Sequence, residues 1–540
     1  MYPSISPDQE LGRALAFLAD KAHQKSQHLE PNQLEYGRWV EGLFGTLGHF
    51  LETLPEKKAY NAPDPALLGA WIEGSHRLQD PVLIFQHLVR GLSDQGLLTA
   101  GSRHLGYIPG GGLPVAALAD WLAATVNPFC GDALASPVAA WIHQECLSTL
   151  QTWVGFDPAR AGGDLTSGGS HATLLALKKA RDRRGLRGKD YHRSVVYVGE
   201  HTHHCARKSL EVLFGDEIII RIVPSNTRHQ MEPEALRILV EKDRQNQLNP
   251  FLLIATAGST NLGSVDPLHE LGTIAHESSM WFHVDGAYGG FFVLCPNTGE
   301  IFRGLERADS VVLDPHKGLF LPYGLGAVLF KEACEPLKTP AAAHADYLQD
   351  RFDLHGRAGA QGDPWVQIPP SPMDQSFELT RPFRSLRLWL ALKLYGRETF
   401  GAALEEKLIL AQYARLKLNA LDGIEVIHAG DLSVVAFRVR ESSVKKTPLK
   451  DTEDGFADAH PTETGAANTT GNQSTRGEDA TERLLRSLLA EGNVFLTSTM
   501  VGQKKVLRLA ILSFRTHLRD IDLTLDQIEK QLRLMKGASR

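Results

Sequence analysis

From Arg193 to His316 the chain alternates between two textures, and this alternation limits the possible folds more than any other feature. Short runs rich in β-branched residues, SVVYVG, EIIIRIV, FLLIATAG, WFHVDGAYGG and DSVVLDPH, are separated by stretches of helical periodicity such as PEALRILVEKDRQ and PLHELGTIAHESS. A strand that is apolar on both faces must be covered on both faces. Helices lying between such strands supply that cover and allow parallel connections. The pattern therefore predicts an α/β fold around a mainly parallel sheet, with functional groups gathered beyond the carboxyl ends of the strands.

Residues 1–104 read differently. LGRALAFLADKAHQ, YGRWVEGLFGTLGHFLETL and PVLIFQHLVRGLSDQGLL place apolar residues at three- and four-residue spacing, which predicts an N-terminal helical segment. Residues 105–395 hold the strand–helix alternation. Residues 396–540 combine the strand-like LSVVAFRVR and KVLRLAIL with the helical TERLLRSLLAEG and DLTLDQIEKQLRLM, a small α+β domain. Within it, residues 441–480 are rich in Thr, Gly, Asp, Glu and Asn and carry hardly a large apolar side chain. Such a stretch cannot bury enough surface to offset its chain entropy, so a disordered insertion is expected.

Charge and cysteine usage narrow the function classes. A formal net charge of −6 on 540 residues, with no Lys/Arg block interleaved with aromatics, supplies no field for nucleic acid or anionic lipid. No stretch approaches the roughly 18 continuous apolar residues of a membrane span. The opening MYPSISPDQELGRALAFLADKAH lacks the basic start and apolar core of a signal peptide. The cysteines are five, scattered, and form no CxxC pair, which suits reduced thiols. A cytoplasmic protein without nucleic-acid or membrane partners is expected.

Three stretches carry chemistry. In LDPHKGLFLPYG, Lys317 follows the end of a strand and a proline; a partly desolvated amine there can form a Schiff base with a carbonyl, although a lysine in a turn is usually only a surface lysine. In HVDGAYGG, Asp285 ends an apolar strand, where a carboxylate is costly without a cationic partner such as a protonated pyridine nitrogen. A turn-making aspartate is the plainer reading. In LTSGGSHATLLALKKARDRRG, Gly168, Gly169 and Ser170 open an amphipathic helix whose free N–H groups suit a phosphate, or simply cap the helix. The stretch GEHTHHCARKSL sets His201, His203, His204 and Cys205 close together and raises the question of a metal.

The combination TSGGSHATLLAL, HVDGAYGG, DPHKG and LRLAILSFRT resembles the group II pyridoxal-phosphate-dependent amino-acid decarboxylases, relatives of aromatic-L-amino-acid and glutamate decarboxylases, from about Leu105 onward. The resemblance implies the aspartate aminotransferase-like fold type I, pyridoxal 5'-phosphate as cofactor, an L-amino acid as substrate and a homodimer formed partly through residues 1–104. It implies that Lys317 is the Schiff-base lysine and Asp285 the partner of the pyridinium nitrogen. Gly168, Gly169 and Ser170 match the phosphate turn, and Ser310, Asp314 and His316 match positions flanking the same phosphate. Thr256 matches the threonine beside the ring hydroxyl, and Ala287 packs under the ring. In the family a His is followed five residues on by Lys and then a small residue, so the resemblance implies that His203, five before Lys208 and Ser209, is the imidazole stacked on the ring opposite Ala287; His201 is expected to be a loop residue, and no metal is expected, since no second ligand pair completes a site. Tyr107, Ile108 and Pro109 match a segment lining the side-chain pocket; their apolar character tilts toward an aromatic or apolar substrate, and plain packing would explain them equally well.

Two departures leave the outcome open. The family motif is often His-Lys-Trp, where this chain has Gly318, and a loop tyrosine that donates a proton in relatives has no obvious counterpart, since Tyr347 lies too early. An aldehyde-forming oxidative deaminase, a C–C lyase and an inactive cofactor-binding relative acting as an interaction protein remain the alternatives. Arg381, Arg508 and Arg515 could serve structure or substrate.

Overall fold

The computed structural model describes residues 7–26, 29, 31–75, 80–333, 369–428, 430–440 and 479–537. Two compact units emerge, Met1–Leu98 and Thr99–Arg540. The division falls before 104 because residues 99–104 run into the second unit's hydrogen bonding: Phe495 N–H donates to Arg103 O at 3.1 Å and Leu105 N–H to Phe495 O at 2.9 Å. The first unit holds helices Gln33–Thr53, Pro65–Ser75 and Pro81–Asp94. Asn32 starts the first of these as a capping box with Glu35, so orphan N–H groups at that terminus are satisfied.

The second unit is built on seven strands: β1 (Gly162–Thr166), β2 (Ser194–Gly199), β3 (Ile219–Val223), β4 (Asn249–Thr256), β5 (Trp281–Asp285), β6 (Ser310–Leu313) and β7 (Gly326–Phe330). Their order is β1-β7-β6-β5-β4-β2-β3. Strands β2 to β6 pair in parallel, and β7 runs antiparallel between β6 and β1. The unbroken apolar runs of the sequence are the central strands; Leu253, Ile254, Phe282, Val284 and Val311 are fully buried between covering helices. The architecture is thus α/β with a mostly parallel sheet.

Register decides what meets at the carboxyl edge. Thr256 stands opposite Asp285, and Asp285 opposite Val312, two residues before Asp314. On the other side Thr166 pairs with Gly326, which delivers the following turn, and the helix α1 (Gly169–Arg183) it opens, to the same edge. Helix α2 (His204–Phe214) leaves the edge after β2 with His203 as its N-cap.

A long helix, α3 (Arg384–Ala420), leads to the small domain and is broken at Gly396, whose φ of 69° ends one helix and starts another. Beyond it β8 (Ile424–His428), β9 (Val434–Val439), β10 (Thr497–Val501) and β11 (Lys504–Ala510) form an antiparallel sheet in the order β8-β9-β11-β10. Helices α4 (Ala480–Glu491) and α5 (Leu518–Lys536) pack on it around Phe437, Leu488, Leu507 and Ile528. The insertion read at 441–480 lies outside the described residues except for its last two positions, as does Tyr347.

Candidate active site

A cavity of about 300 Å³ opens at the carboxyl ends of β4, β5 and β6. Its walls include Gly168, Gly169, Ser170, His203, Thr256, Asp285, Ala287, Asp314, His316 and Lys317. Sequence positions almost 150 residues apart meet because parallel strands end on one edge.

Lys317 Nζ lies 2.8 Å from Asp314 Oδ2. Burial pulls the lysine pKa down, but the Asp314 carboxylate, with Asp285 behind it, outweighs burial and holds it above the usual lysine value. Asp314 is thus the counter-ion of Lys317, with Oδ1 enclosed and unpartnered among the described residues. Asp314 lies directly behind the glycine turn: a Cβ on Gly169 would come within 2.8 Å of its Oδ2, and one on Gly326 within 2.8 Å of its Oδ1. Gly168 holds φ of 155°, which a side chain would strain, so the turn keeps bare backbone toward the cavity.

Asp285 is buried, and its Oδ1 accepts the Ala287 N–H at 3.1 Å, which aims the carboxylate and sets Ala287 beside it. Thr256 is fixed from behind by Asp266, whose two oxygens accept Thr256 N–H at 2.8 Å and Met231 N–H at 2.7 Å. His203 Nδ1 accepts the Cys205 N–H at 3.3 Å, so in the neutral ring the proton sits on Nε2. Burial, opposed by Asp285, lowers the His203 pKa and favours that neutral form. His316 has the opposite tautomer, donating from Nδ1 to Leu325 O at 2.6 Å.

Other sequence expectations are redirected. Ser310 does not reach the cavity. It opens β6, about 10 Å from the edge at the rise of a strand, and its hydroxyl accepts from Trp281 Nε1 at 2.9 Å and meets His283 Nδ1 at 2.8 Å. Ile108 and Pro109 are interior, and Tyr107 is half exposed against Phe495; none of the three lines the cavity. Arg381 is committed to Asp164 at 2.8 Å and to Leu165 O, Arg508 to Thr260 O and Asn261 O, and Arg515 to Gly111 O, so all three hold structure. His201, read as a loop bystander, does line the cavity, as do His171, Thr173, Cys205 and Tyr288. Thr173 could have been found from helical periodicity, since it follows Ser170 by three residues on α1; His171, His201, Cys205 and Tyr288 lie within the motifs already quoted, but nothing in those motifs says which way their side chains turn. Among the described residues no group of three or more His, Cys, Asp or Glu side chains could hold a metal ion.

The pyridoxal-dependent decarboxylase conserved domain matches residues 102–440. The chain is 29% identical over 438 residues to an aromatic-L-amino-acid decarboxylase of Bacillus atrophaeus, spanning 81% of this chain and 82% of the relative. It is 28% identical over 354 residues to a phenylacetaldehyde synthase of Arabidopsis thaliana, 65% of this chain and 64% of that one. Its fold matches a crystal structure of Oryza sativa TDC with PLP and tryptamine at a TM-score of 0.79 and 21% identity, over 94% of this chain and 99% of the other.

Proposed function

Because the chain belongs to the pyridoxal-dependent decarboxylase family, and is thus an amino-acid decarboxylase working with pyridoxal phosphate, we propose that its substrate is an aromatic L-amino acid. In this reading Lys317, Asp285 and His203 are its principal groups. The observation that carries the reading is the meeting of Lys317, Asp285, His203 and the Gly168–Ser170 turn in one cavity.

When bound, the cofactor supplies an aldehyde that condenses with amines and a protonated ring that withdraws electrons from the substrate. The residues fit that group. The bare turn at Gly168 and Gly169, leading into the start of α1, suits its phosphate. Asp285 is a buried carboxylate aimed into the cavity, where a ring N–H is the partner it needs. Lys317 must give up a proton before its amine can attack a carbonyl, and Asp314 is the acceptor within reach at 2.8 Å. His203 offers an Nε2–H that can bind a substrate carboxylate.

The aromatic side chain rests on the relatives, since the segment once expected to choose it does not line the cavity. One relative is a phenylacetaldehyde synthase, which favours a second reading in which the product is an aldehyde. A homodimer is supported by apolar side chains left open on Pro114–Val126, where Leu122 is 53% and Val126 66% exposed, and on the helix Gln33–Thr53, which buries no residue. A reducing, cytoplasmic setting is supported by the buried free thiols of Cys130, Cys146, Cys205 and Cys295; among the described residues no helix is long and apolar enough to cross a membrane.

The test is to incubate cofactor-loaded protein with each common L-amino acid, measuring carbon dioxide and identifying the organic product. Carbon dioxide with the matching amine from tryptophan, tyrosine or phenylalanine is expected. An aldehyde with ammonia would establish the second reading, and silence toward all three would overturn the aromatic assignment.

A further inference from the structure

Behind the main cavity lies a polar pocket of about 10 Å³, roughly the room one water occupies. Among the described residues, His201 and Thr256 alone line both spaces. His201 Nε2 is enclosed and has no hydrogen-bond partner among the described residues. Its ring stands edge-on to that of His229, with centroids 5.6 Å apart and planes at 69°. His229 holds a left-handed backbone, φ 56°, in a turn closed by its N–H to Asn226 O at 2.9 Å, and its side chain is partly open to solvent. Glu200, Ser259 and Asp266 complete the polar walls.

We infer that His201 is a proton carrier of this site, linked through His229 to solvent and serving the carbon that loses carbon dioxide; the inference rests on the decarboxylase reading above. Decarboxylation breaks the bond between Cα and the carboxylate, leaves its electron pair on the carbon side and requires one proton to arrive. A neutral imidazole meets this by giving its N–H proton to the carbon while accepting another at its second nitrogen. The ring ends neutral in the opposite tautomer, and exchange with His229 and solvent restores it. Burial and the neighbouring His229 lower the His201 pKa, so the neutral ring is the resting form. Lys317 is ion-paired to Asp314 and His316 Nδ1 is held by Leu325 O, while the free Nε2–H of His203 is the group assigned above to the substrate carboxylate.

His201→Gln keeps a hydrogen-bonding side chain that cannot relay. In the cofactor-loaded protein it should lower kcat about 10²-fold, the scale of a lost general acid, while raising the solvent deuterium isotope effect. KM and cofactor affinity should stay within about twofold. His229→Ala should lose less and be partly restored by added imidazole. Parental kcat and isotope effect in His201→Gln would overturn the inference, as would a loss matched by an equal loss of cofactor affinity. Imidazole NMR reads the pair without turnover: His229→Ala should raise the His201 titration midpoint. An unmoved midpoint sinks the relay whatever the substrate, whereas a shifted midpoint with no carbon dioxide from any amino acid sinks the decarboxylase reading and not the pairing.

Discussion

At Lys317, burial and a neighbouring carboxylate act in opposite directions, and Asp314 at 2.8 Å wins. Lys317→Ala should lose the visible, borohydride-reducible adduct of the loaded protein, read by absorbance and mass; an adduct that persists would move the assignment to another amine. Asp285→Asn preserves shape and removes charge, so kcat/KM should fall by about 10²–10³, or about 3–4 kcal/mol, the scale of other preorganised charges. Near-normal turnover would contradict its proposed role. Gly318 has a packing explanation: a Cβ there would lie 2.8 Å from Phe291 Cβ, and Phe291 is fully buried. Gly318→Ala should therefore cost about 1–3 kcal/mol in denaturant unfolding, as overpacking does; an unchanged midpoint would show that Phe291 moves aside freely. The sequence picked out His203 by its spacing to Lys208 and Ser209, but it could not tell that His201 also turns inward, because both belong to one short loop whose direction is set by β2 and α2.

At the scale of elements, β2 to β6 were legible because each is a run of mostly apolar residues, whereas β1, GGDLT, carries no such run; the start of α1 was legible because Gly-Gly-Ser precedes an amphipathic pattern. The helix that spans positions 395 and 396 is broken at Gly396, while residues 99–540 form one compact unit. The boundary at 104 was less visible, since residues 99–104 join the second unit through backbone bonds to Phe495 that leave no mark in local sequence. The ends of the 441–478 stretch are neighbours: Val439 N–H donates to Thr481 Oγ1 at 3.2 Å. Replacing 441–478 with a short Gly/Ser linker should leave melting temperature and cofactor content nearly unchanged, because lengthening or shortening a loop between fixed ends changes stability only slowly. An unfolded product would show that the stretch is structural.

For the molecule as a whole, buried neutral histidines set the response to acid. Burial lowers His104 and His283 to about 4, whereas the unfolded chain titrates at 6.5. Their contribution to stability is fully present above about pH 6.5 and is lost as pH falls toward 4, each by up to about 3 kcal/mol. Asp266 works the other way: burial raises it to about 6, so it favours the fold as pH drops below 6 and offsets roughly one of the two histidines. Urea midpoints should therefore fall between pH 7 and pH 4.5; a flat profile would contradict the neutral burial of these rings. The sequence by itself determined the α/β class, because strand periodicity is a local property, and it brought Lys317, Asp285 and the Gly168–Ser170 turn forward as candidates because each stands at the end of a strand or the start of a helix. Tertiary structure alone decided that Asp314 faces Lys317, that Ser310 and Tyr107 to Pro109 stay out of the cavity, and that His201 enters it. Those outcomes depend on strand order, register and packing between segments far apart in the chain, which no local pattern encodes.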